Sequence, residues 1–345
     1  MCKMETLLLT TSEEDIEKAA SILKCGGLVG MPTETVYGLA ADALNGSAVS
    51  SVFKAKGRPA DNPLIVHISE TADIERFSLV REFPESAKKL AANFWPGPLT
   101  MILPKGDNIP DEVTAGLDSV AIRLPSHEGA RALIKAADTP LAAPSANLSG
   151  SPSPTTAQHV LDDLAGRIGA VIDGGDCEVG LESTVITLCS TPPTLLRPGK
   201  VTLEELREVL GEVALSSAVL EKLSDTEEAP SPGMKYRHYA PKAKVYLLKA
   251  SDEKFRDFIN TNAADSVAAL CYESDIPHLN AKCLSLGEKG NYDEEAQKLF
   301  AALREIDTIP DITTVYARCP GTEGVGMAIY NRLIRAAGFE VTELE

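Results

Sequence analysis

A short basic segment is the most suggestive place for anion chemistry in this sequence. Lys54, Lys56 and Arg58 stand within five positions and precede a proline-stiffened turn at residues 59–63. Arginine presents a planar fork to phosphate oxygens and lysine a point charge, so the pattern is typical of a polyanion site. The same composition also suits a solvated helix end, because the helix dipole favours cations there. The segment alone leaves both interpretations open.

Two ionisable side chains lie in runs that are otherwise apolar. Arg123 follows Val120-Ala-Ile122, and a buried guanidinium needs an anionic partner. That partner is either a carboxylate of the protein or the carboxylate of a ligand. His67 follows Leu64-Ile-Val66, and a single histidine in a strand is more often a hydrogen-bonded core residue than a catalyst.

Two polar loops follow apolar runs and are candidate ligand sites. Residues 32–38 come directly after the run Leu28–Met31, and residues 143–153 are rich in hydroxyl and amide side chains, proline and glycine. Open α/β sheets bind ligands in loops at the ends of buried strands, and donor-rich loops suit phosphate or ribose. Ordinary surface loops have the same composition, so this choice also stays open.

Alternating strands and helices would position these side chains. Helical periodicity and capping residues predict helices at 13–24, 47–56, 127–137 and 156–164 and a further helix from Thr202. Buried strands are predicted at 28–31, 64–68, 168–172, 180–186 and 195–199, and around Leu99, Arg123 and Leu141. The alternation continues to about residue 210 and indicates an α/β domain.

The pattern breaks down over residues 211–243, which end in a basic and aromatic run, Met234 to Pro241. A second α/β unit begins near residue 244. Its strands are predicted at 245–249, 267–272, 283–286 and 313–318, and its helices at 252–261, 293–305 and 325–337. This alternation predicts a parallel sheet whose strands are joined by helical crossovers. In this unit Arg304 and Glu305 are predicted to form a solvated face.

Composition narrows the functional class. A length of 345 residues suits two domains, and a net charge of −17 disfavours broad binding to nucleic acid while permitting a local basic pocket. The seven cysteines are odd in number and form no C-x-x-C pair, which argues against a zinc site or a disulfide framework. No apolar run reaches the roughly 20 residues needed to cross a bilayer, and no signal-peptide pattern is present. We therefore expect a cytoplasmic enzyme.

Six motifs, in order, resemble the L-threonylcarbamoyladenylate synthase family in its two-domain form. They are residues 32–39 (PTETVYGL), 55–59 (AKGRP) with 62–64 (NPL), 95–100 (WPGPLT), 143–147 (APSAN), 182–184 (EST) and 232–241 (PGMKYRHYAP). The resemblance implies a YrdC-like catalytic domain with a twisted open α/β sheet over residues 1–210. A linker over 211–243 and a smaller Rossmann-like α/β domain over 244–345 would follow.

The resemblance also implies two sets of binding residues. ATP would contact Lys56, Arg58, Asn62, Ser119, Ser145, Ser153, Arg197 and Tyr236. L-Threonine would contact Thr35, His67, Arg123, Ala143 and Ser183, with Arg123 pairing its carboxylate. Lys56 and Arg58 would be the catalytic residues that stabilise the phosphates. Lys54 is then expected to be a plain surface charge.

The implied enzyme is a nucleotidyltransferase. The family makes threonylcarbamoyl-AMP and pyrophosphate from L-threonine, bicarbonate and ATP, for threonylcarbamoyladenosine next to the anticodon of tRNA. A downstream tRNA threonylcarbamoyl transferase machinery would use the product. Mg²⁺ is expected on the triphosphate, held mainly by phosphate oxygens and water. We also expect residues 229–243 to close over the nucleotide pocket as a lid that excludes water.

Three other functions are compatible with parts of the sequence. The YrdC-like carbamoyltransferase of hydrogenase maturation adds an acylphosphatase region and cysteine-rich zinc motifs, which this sequence lacks. An RNA-binding protein would use a concave basic face, but the negative net charge of the chain disfavours stable nucleic-acid binding. A nucleotide-sensing module with the C-terminal domain as its output is the third alternative.

Overall fold

The computed structural model describes residues 5–220 and 239–344. These residues form two α/β units, each built on its own sheet. The predicted fold, an α/β catalytic domain followed by a smaller α/β domain, is therefore confirmed. Within the described ranges, no helix combines the length and the apolar character needed to cross a membrane.

The first unit is organised around a mixed sheet. Its strands are β1 Leu7–Leu9, β2 Val29–Met31, β3 Gly38–Asp42, β4 Ile65–His67, β5 Leu99–Pro104, β6 Ser119–Arg123, β7 Leu141–Ala142, β8 Ala170–Ile172, β9 Thr184–Thr187, β10 Thr194–Arg197 and β11 Ala214–Leu215. They lie in the order β1-β8-β2-β3-β7-β4-β6-β5-β9-β10-β11. Strand β11 falls within the predicted linker, because a two-residue strand gives no periodic signal. Its pairing with β10 extends the first sheet beyond residue 210.

Helices cover the sheet of the first unit. They are α1 Glu13–Lys24, α2 Gly46–Lys56, α3 Asp73–Arg76, α4 Glu85–Phe94, α5 Asp111–Thr114, α6 Glu128–Ala137, α7 Ala157–Leu164 and α8 Leu203–Leu210. The side chain of Ser12 caps α1, and Thr202 and Glu205 form a capping box on α8. Helix α2 is followed by its cap residue Gly57, whose φ of 63° is a left-handed conformation that glycine adopts without strain. The chain turns there and carries Arg58 away from the helix axis.

The second unit contains a parallel sheet. Its strands are β12 Lys244–Lys249, β13 Val267–Cys271, β14 Lys282–Ser285, β15 Thr314–Arg318 and β16 Val341–Glu343, in the order β14-β13-β15-β12-β16. Its helices are α9 Asp252–Thr261, α10 Tyr292–Ile306 and α11 Val325–Ala336. Every pairing is parallel, as predicted. The sequence did not predict strand β16, because its three residues are all exposed and show no alternation of buried and exposed side chains.

The two units share a core and polar contacts. Val36 and Leu181 of the first unit belong to the buried apolar cluster of the second. Arg304 of α10 donates to the carbonyl of Pro152 at 2.6 Å and pairs with Asp163 at 2.8 Å. The prediction of a solvated Arg304 is therefore wrong, because its guanidinium crosses to the first unit. Glu305, in contrast, is exposed.

Candidate active site

One cavity gathers most of the predicted binding residues. Ten of them line it: Thr35, Lys56, Arg58, His67, Arg123, Ala143, Ser145, Ser153, Ser183 and Arg197. The sheet explains the convergence, because β4 and β6 are parallel and place His67 directly opposite Arg123. Strand β7 runs antiparallel to β4 and brings the start of the 143–153 loop to the same edge.

Arg123 is held in place by residues of the 32–38 loop. Its Nη1 donates to the Thr35 hydroxyl at 2.8 Å, and its Nη2 lies 2.7 Å from Glu34 Oε1. Burial alone would raise the pKa of Glu34, but the charge and hydrogen bond of Arg123 lower it below its usual value. The anionic partner that Arg123 requires is thus a carboxylate of the protein. Of the two partners that the sequence left open, the structure supplies the protein carboxylate, and a ligand carboxylate would be a second partner.

His67 is a buried neutral imidazole at the cavity wall. Its Nδ1 lies 3.1 Å from the carbonyl oxygen of Ile65. Burial, helped by the positive charge of Arg123, lowers the pKa of His67 to about 3. At neutral pH the ring therefore carries no charge and can offer a ligand a hydrogen bond or an apolar face.

Lys56 holds the hydroxyl-rich loop that forms one side of the cavity. Its ammonium donates to the backbone carbonyls of Ser145 and Asn147, the latter at 2.6 Å. Burial and the nearby Arg58 charge lower the pKa of Lys56 well below its usual value. Lys54, two residues earlier on α2, is exposed. Lys56 thus acts on the loop through its hydrogen bonds as well as presenting charge to the cavity.

Arg58 and Asn62 follow α2 but differ in position. The Arg58 guanidinium lies at the cavity with its central carbon 5.8 Å from the Phe53 ring. Asn62 is fully buried and is not a lining residue. Neither atom of its side-chain amide has a hydrogen-bond partner among the described residues. Since buried amides are normally paired, Asn62 retains unused donor and acceptor capacity next to the basic segment.

Ser183 and Arg197 form a hydrogen-bonded pair in the cavity wall. Arg197 donates through Nε to the Ser183 carbonyl at 3.0 Å and through Nη2 to its hydroxyl at 3.1 Å. Ser183 also shares a 2.7 Å hydrogen bond with Thr100. Burial lowers the pKa of Arg197 to about 10, so the guanidinium stays charged at neutral pH. Ser183 is therefore fixed by a cation rather than free to rotate.

Ser119 does not reach the cavity. It shares a face of β6 with Ala121 and Arg123, because alternate strand residues point the same way. It begins the strand that Arg123 ends, a separation of roughly 13 Å at about 3.3 Å per residue. Ser119 is absent from the residues that line the cavity. A ligand would contact it only by extending along this face of the sheet.

The structure adds lining residues that the sequence did not single out, chiefly Glu182 and Tyr239. The Ser153 hydroxyl donates to Glu182 at 2.6 Å. The Tyr239 ring packs against Phe300 at 5.1 Å. Tyr239 belongs to the basic and aromatic run Met234 to Pro241, so that run could have identified it. The residue predicted there, Tyr236, lies outside the described residues, as does most of the predicted lid.

The fold and the cavity define a class: two-domain α/β proteins with a YrdC-like first domain whose cavity is lined by cations and hydroxyl groups. Residues 21–199 match the Sua5/YciO/YrdC family model, described as "Telomere recombination". Residues 201–338 match the model described as "Threonylcarbamoyl-AMP synthase, C-terminal domain". The chain belongs to the threonylcarbamoyl-AMP synthase family.

Relatives of similar length support this assignment. The threonylcarbamoyl-AMP synthase of Pyrococcus abyssi is 45% identical over 341 residues, with 96% of each chain covered. That of Bacillus subtilis is 45% identical over 338 residues, again with 96% of each chain covered. The crystal structure of P. abyssi Sua5 with L-threonine superposes with a TM-score of 0.89, at 43% identity and 99% coverage of both chains.

Proposed function

We propose that this chain is a threonylcarbamoyl-AMP synthase that makes L-threonylcarbamoyladenylate and pyrophosphate from L-threonine, bicarbonate and ATP. The observation that carries the proposal is the meeting of two sets of side chains in one cavity. One set suits an amino acid and the other a polyanion. The full-length similarity to synthases of this name supports the same activity.

The amino-acid end is formed by Thr35, His67, Arg123, Ala143 and Ser183. Arg123 pairs with the threonine carboxylate while Glu34 holds the far side of its guanidinium. Because His67 is neutral, it adds no second positive charge at this end, and Arg123 remains the cation that receives the carboxylate. The small Ala143, 3% exposed, leaves room for the threonine side chain.

The nucleotide end is formed by Lys56, Arg58, Ser145, Ser153 and Arg197. Arg58 offers its fork to phosphate oxygens, and Lys56 keeps the 143–153 loop folded against them. Asn62 supports this end from beneath the basic turn, where its amide has hydrogen-bond capacity to spare. Ser119 and Tyr236 complete the proposed contacts, with Ser119 reached along the sheet face and Tyr236 supplied by the 211–243 linker.

The reaction needs positioning more than a covalent nucleophile. The neutral threonine amine adds to bicarbonate, and loss of one water molecule gives a carbamate. A carbamate oxygen then attacks the α-phosphorus of ATP, the bond to the β-phosphate oxygen breaks, and pyrophosphate leaves. This is a nucleotidyl transfer, and charge neutralisation by Lys56 and Arg58 with exact placement of both substrates lowers its barrier.

Mg²⁺ would accompany the triphosphate. Glu182, which lines the cavity, is already paired with Arg332, and Glu34 is paired with Arg123. Across residues 5–220 and 239–344, no three acidic, histidine or cysteine side chains cluster as a metal site. Phosphate oxygens and water would therefore supply most of the coordination.

The cellular setting is part of the same proposal. The product, a labile mixed anhydride, passes in the cytoplasm to a tRNA threonylcarbamoyl transferase machinery. The chain's own net charge of −17 makes stable binding of tRNA unfavourable. Residues 1–210 are proposed as the catalytic domain, 211–243 as linker and lid, and 244–345 as the C-terminal domain.

Pyrophosphate release tests the function. The protein is incubated with ATP, with and without L-threonine and bicarbonate. Release that requires both supports the synthase, whereas release that requires carbamoyl phosphate identifies a different carbamoyltransferase. Saturable RNA binding without turnover would identify a binding protein. Arg58→Ala is expected to abolish release. Lys54→Ala, which removes an exposed cation from the last turn of α2, is the matched control that keeps it.

A further inference from the structure

Arg332 of α11 is fully buried where the two units meet. Its Nε donates to Glu182 Oε2 at 3.0 Å, and its Nη1 donates to the Pro198 carbonyl at 2.6 Å. Its Nη2 reaches the Glu182 carbonyl at 3.3 Å. The Arg332 guanidinium, which belongs to the second unit, thus donates to Glu182 and to Pro198 of the first unit, and Pro198 directly follows β10.

Glu182 links Arg332 to the cavity. One carboxylate oxygen pairs with Arg332, and the other accepts the Ser153 hydroxyl at 2.6 Å. Glu182 and Ser153 line the cavity, and Arg332 lies behind them. Burial alone would raise the pKa of Glu182, but the charges of Arg332 and Arg197 lower it. The carboxylate therefore stays ionised and can only accept hydrogen bonds.

This arrangement fixes what Ser153 can do for a ligand. A hydroxyl has one proton to donate, and Ser153 directs that proton to Glu182. Only the lone pairs of its oxygen remain for the cavity. Ionised phosphate oxygens cannot donate to them, whereas a ribose hydroxyl or the amino group of adenine can. Ser153 therefore fits the nucleoside part of a nucleotide rather than its phosphates.

We propose that Arg332 is a positioning residue of the nucleotide site, which holds Glu182 so that Ser153 accepts a hydrogen bond from the nucleoside part of ATP. The proposal rests on the proposed function for the identity of the ligand. It goes beyond that function by giving the C-terminal unit a defined part in nucleotide selection. Arg304 supports the same loop, with donors directed at the carbonyls of Pro152 and Ser153 at 2.6 and 3.4 Å.

Amide hydrogen exchange without nucleotide is the first test. Arg332→Met is expected to speed exchange over residues 148–155, because Glu182 loses the cation that holds it against Ser153. Asp293→Asn is the matched control, since it removes a peripheral contact between the units, the exposed Lys200–Asp293 pair. Exchange in the loop that is unchanged by Arg332→Met, or changed equally by both variants, would contradict the proposal.

Nucleotide selection is the second test. Calorimetry compares ATP with three triphosphates that each lack one donor: 2′-deoxy-ATP, 3′-deoxy-ATP and the analogue without the 6-amino group. The wild type is expected to bind one analogue about tenfold more weakly than ATP, the value of one hydrogen bond. That preference should disappear in Ser153→Ala and in Arg332→Met, and the double variant should show no further change. Equal binding of all four nucleotides by the wild type, or a full preference in Arg332→Met, would refute the role.

A conservative variant guards against misfolding. Arg332→Lys keeps the positive charge beside Glu182 but loses the guanidinium fork. It should fold and show a smaller preference for ATP over the weaker-binding analogue. A preference as large as that of the wild type would refute the role. Neither threonine nor bicarbonate enters these measurements. Failure of substrate-dependent pyrophosphate release would therefore reject the proposed function and leave the nucleotide preference measurable. A wild type that binds no ATP would reject both.

Discussion

The Nη2 atom of Arg123 lies 2.7 Å from Oε1 of Glu34, and both side chains are only 4% exposed. The pair places a protein carboxylate behind the guanidinium that is proposed to receive the threonine carboxylate. Glu34 stands next to Thr35 in the 32–38 loop, so one short loop supplies two of the contacts that orient Arg123. The position of this guanidinium is therefore set before any ligand binds.

Breaking this pair is expected to destabilise the fold. Glu34→Gln and Arg123→Met each leave one buried charge without its partner, which costs roughly 3–5 kcal/mol. The double variant should lose less than the sum of the two, because it leaves no unpaired charge. Urea unfolding of the wild type, the two single variants and the double variant measures the coupling between Glu34 and Arg123. Losses of stability that add strictly in the double variant would contradict it. Calorimetry should find L-threonine binding lost in Arg123→Met and retained in Glu34→Gln.

Lys56 is expected to be essential for the order of the 143–153 loop. Lys56→Met removes its hydrogen bonds to the Ser145 and Asn147 carbonyls and should cost about 3 kcal/mol, the value of a hydrogen bond from a charged donor. Amide exchange over residues 145–151 should accelerate, and ATP affinity should fall. Lys54→Met removes an exposed lysine from the same helix and should leave all three measurements unchanged. An ordered loop in Lys56→Met would show that Lys56 serves the ligand alone.

Local signals in the sequence predicted most of the fold. The stripe Ile16, Ala19, Ala20 and Leu23 behind the cap Ser12 gives α1 its observed bounds. Strands and helices of the second unit also followed from their periodicity. Strands β1, β3, β11 and β16 did not. Strands β1, β11 and β16 have two or three residues each and no run of buried residues. Strand β3 is rich in glycine and alanine, which have low strand propensity.

Contacts between distant segments limited what the sequence could say about the site. Arg123 was predicted to need an anion, but its partner Glu34 stands 89 positions earlier and no local pattern links them. Arg304 resembles any cation on an exposed helical face until the second unit docks on the 143–153 loop. The role of Arg332 depends likewise on Glu182, 150 residues away. Spacing along the chain carries no information on such pairs.

His67 should make stability depend on pH in the acid range. Its pKa is lowered from 6.5 to about 3 in the fold, so between these values the unfolded chain binds the proton and the fold does not. Stability is therefore lost as the pH falls through 6.5, by about 2 kcal/mol between pH 7 and pH 5. The free energy of unfolding is measured by urea at pH 5, 6 and 7. Between pH 7 and pH 5, His67→Gln should lose about 2 kcal/mol less of this free energy than the wild type. The exposed His278→Gln is the control, and equal pH dependence in wild type and His67→Gln would contradict the prediction.

Gly180 should control the docking of the second unit on the cavity wall. A Cβ at this position would stand 2.5 Å from the Cα of Gln297 and 2.7 Å from the Ala296 carbonyl oxygen, both backbone atoms of α10. Gly180→Ala must therefore push α10 away from Leu181 and Glu182, which disturbs the wall that holds Ser153.

Gly175 offers a matched control for this substitution. Both glycines have positive φ, 74° at Gly180 and 84° at Gly175, but a Cβ at Gly175 meets nothing within 4 Å. Gly175→Ala should cost only the backbone strain, about 1–2 kcal/mol. Gly180→Ala should cost clearly more and should also weaken ATP binding, as read by urea unfolding and calorimetry. Equal losses in the two variants would mean that α10 can move aside without consequence for the site.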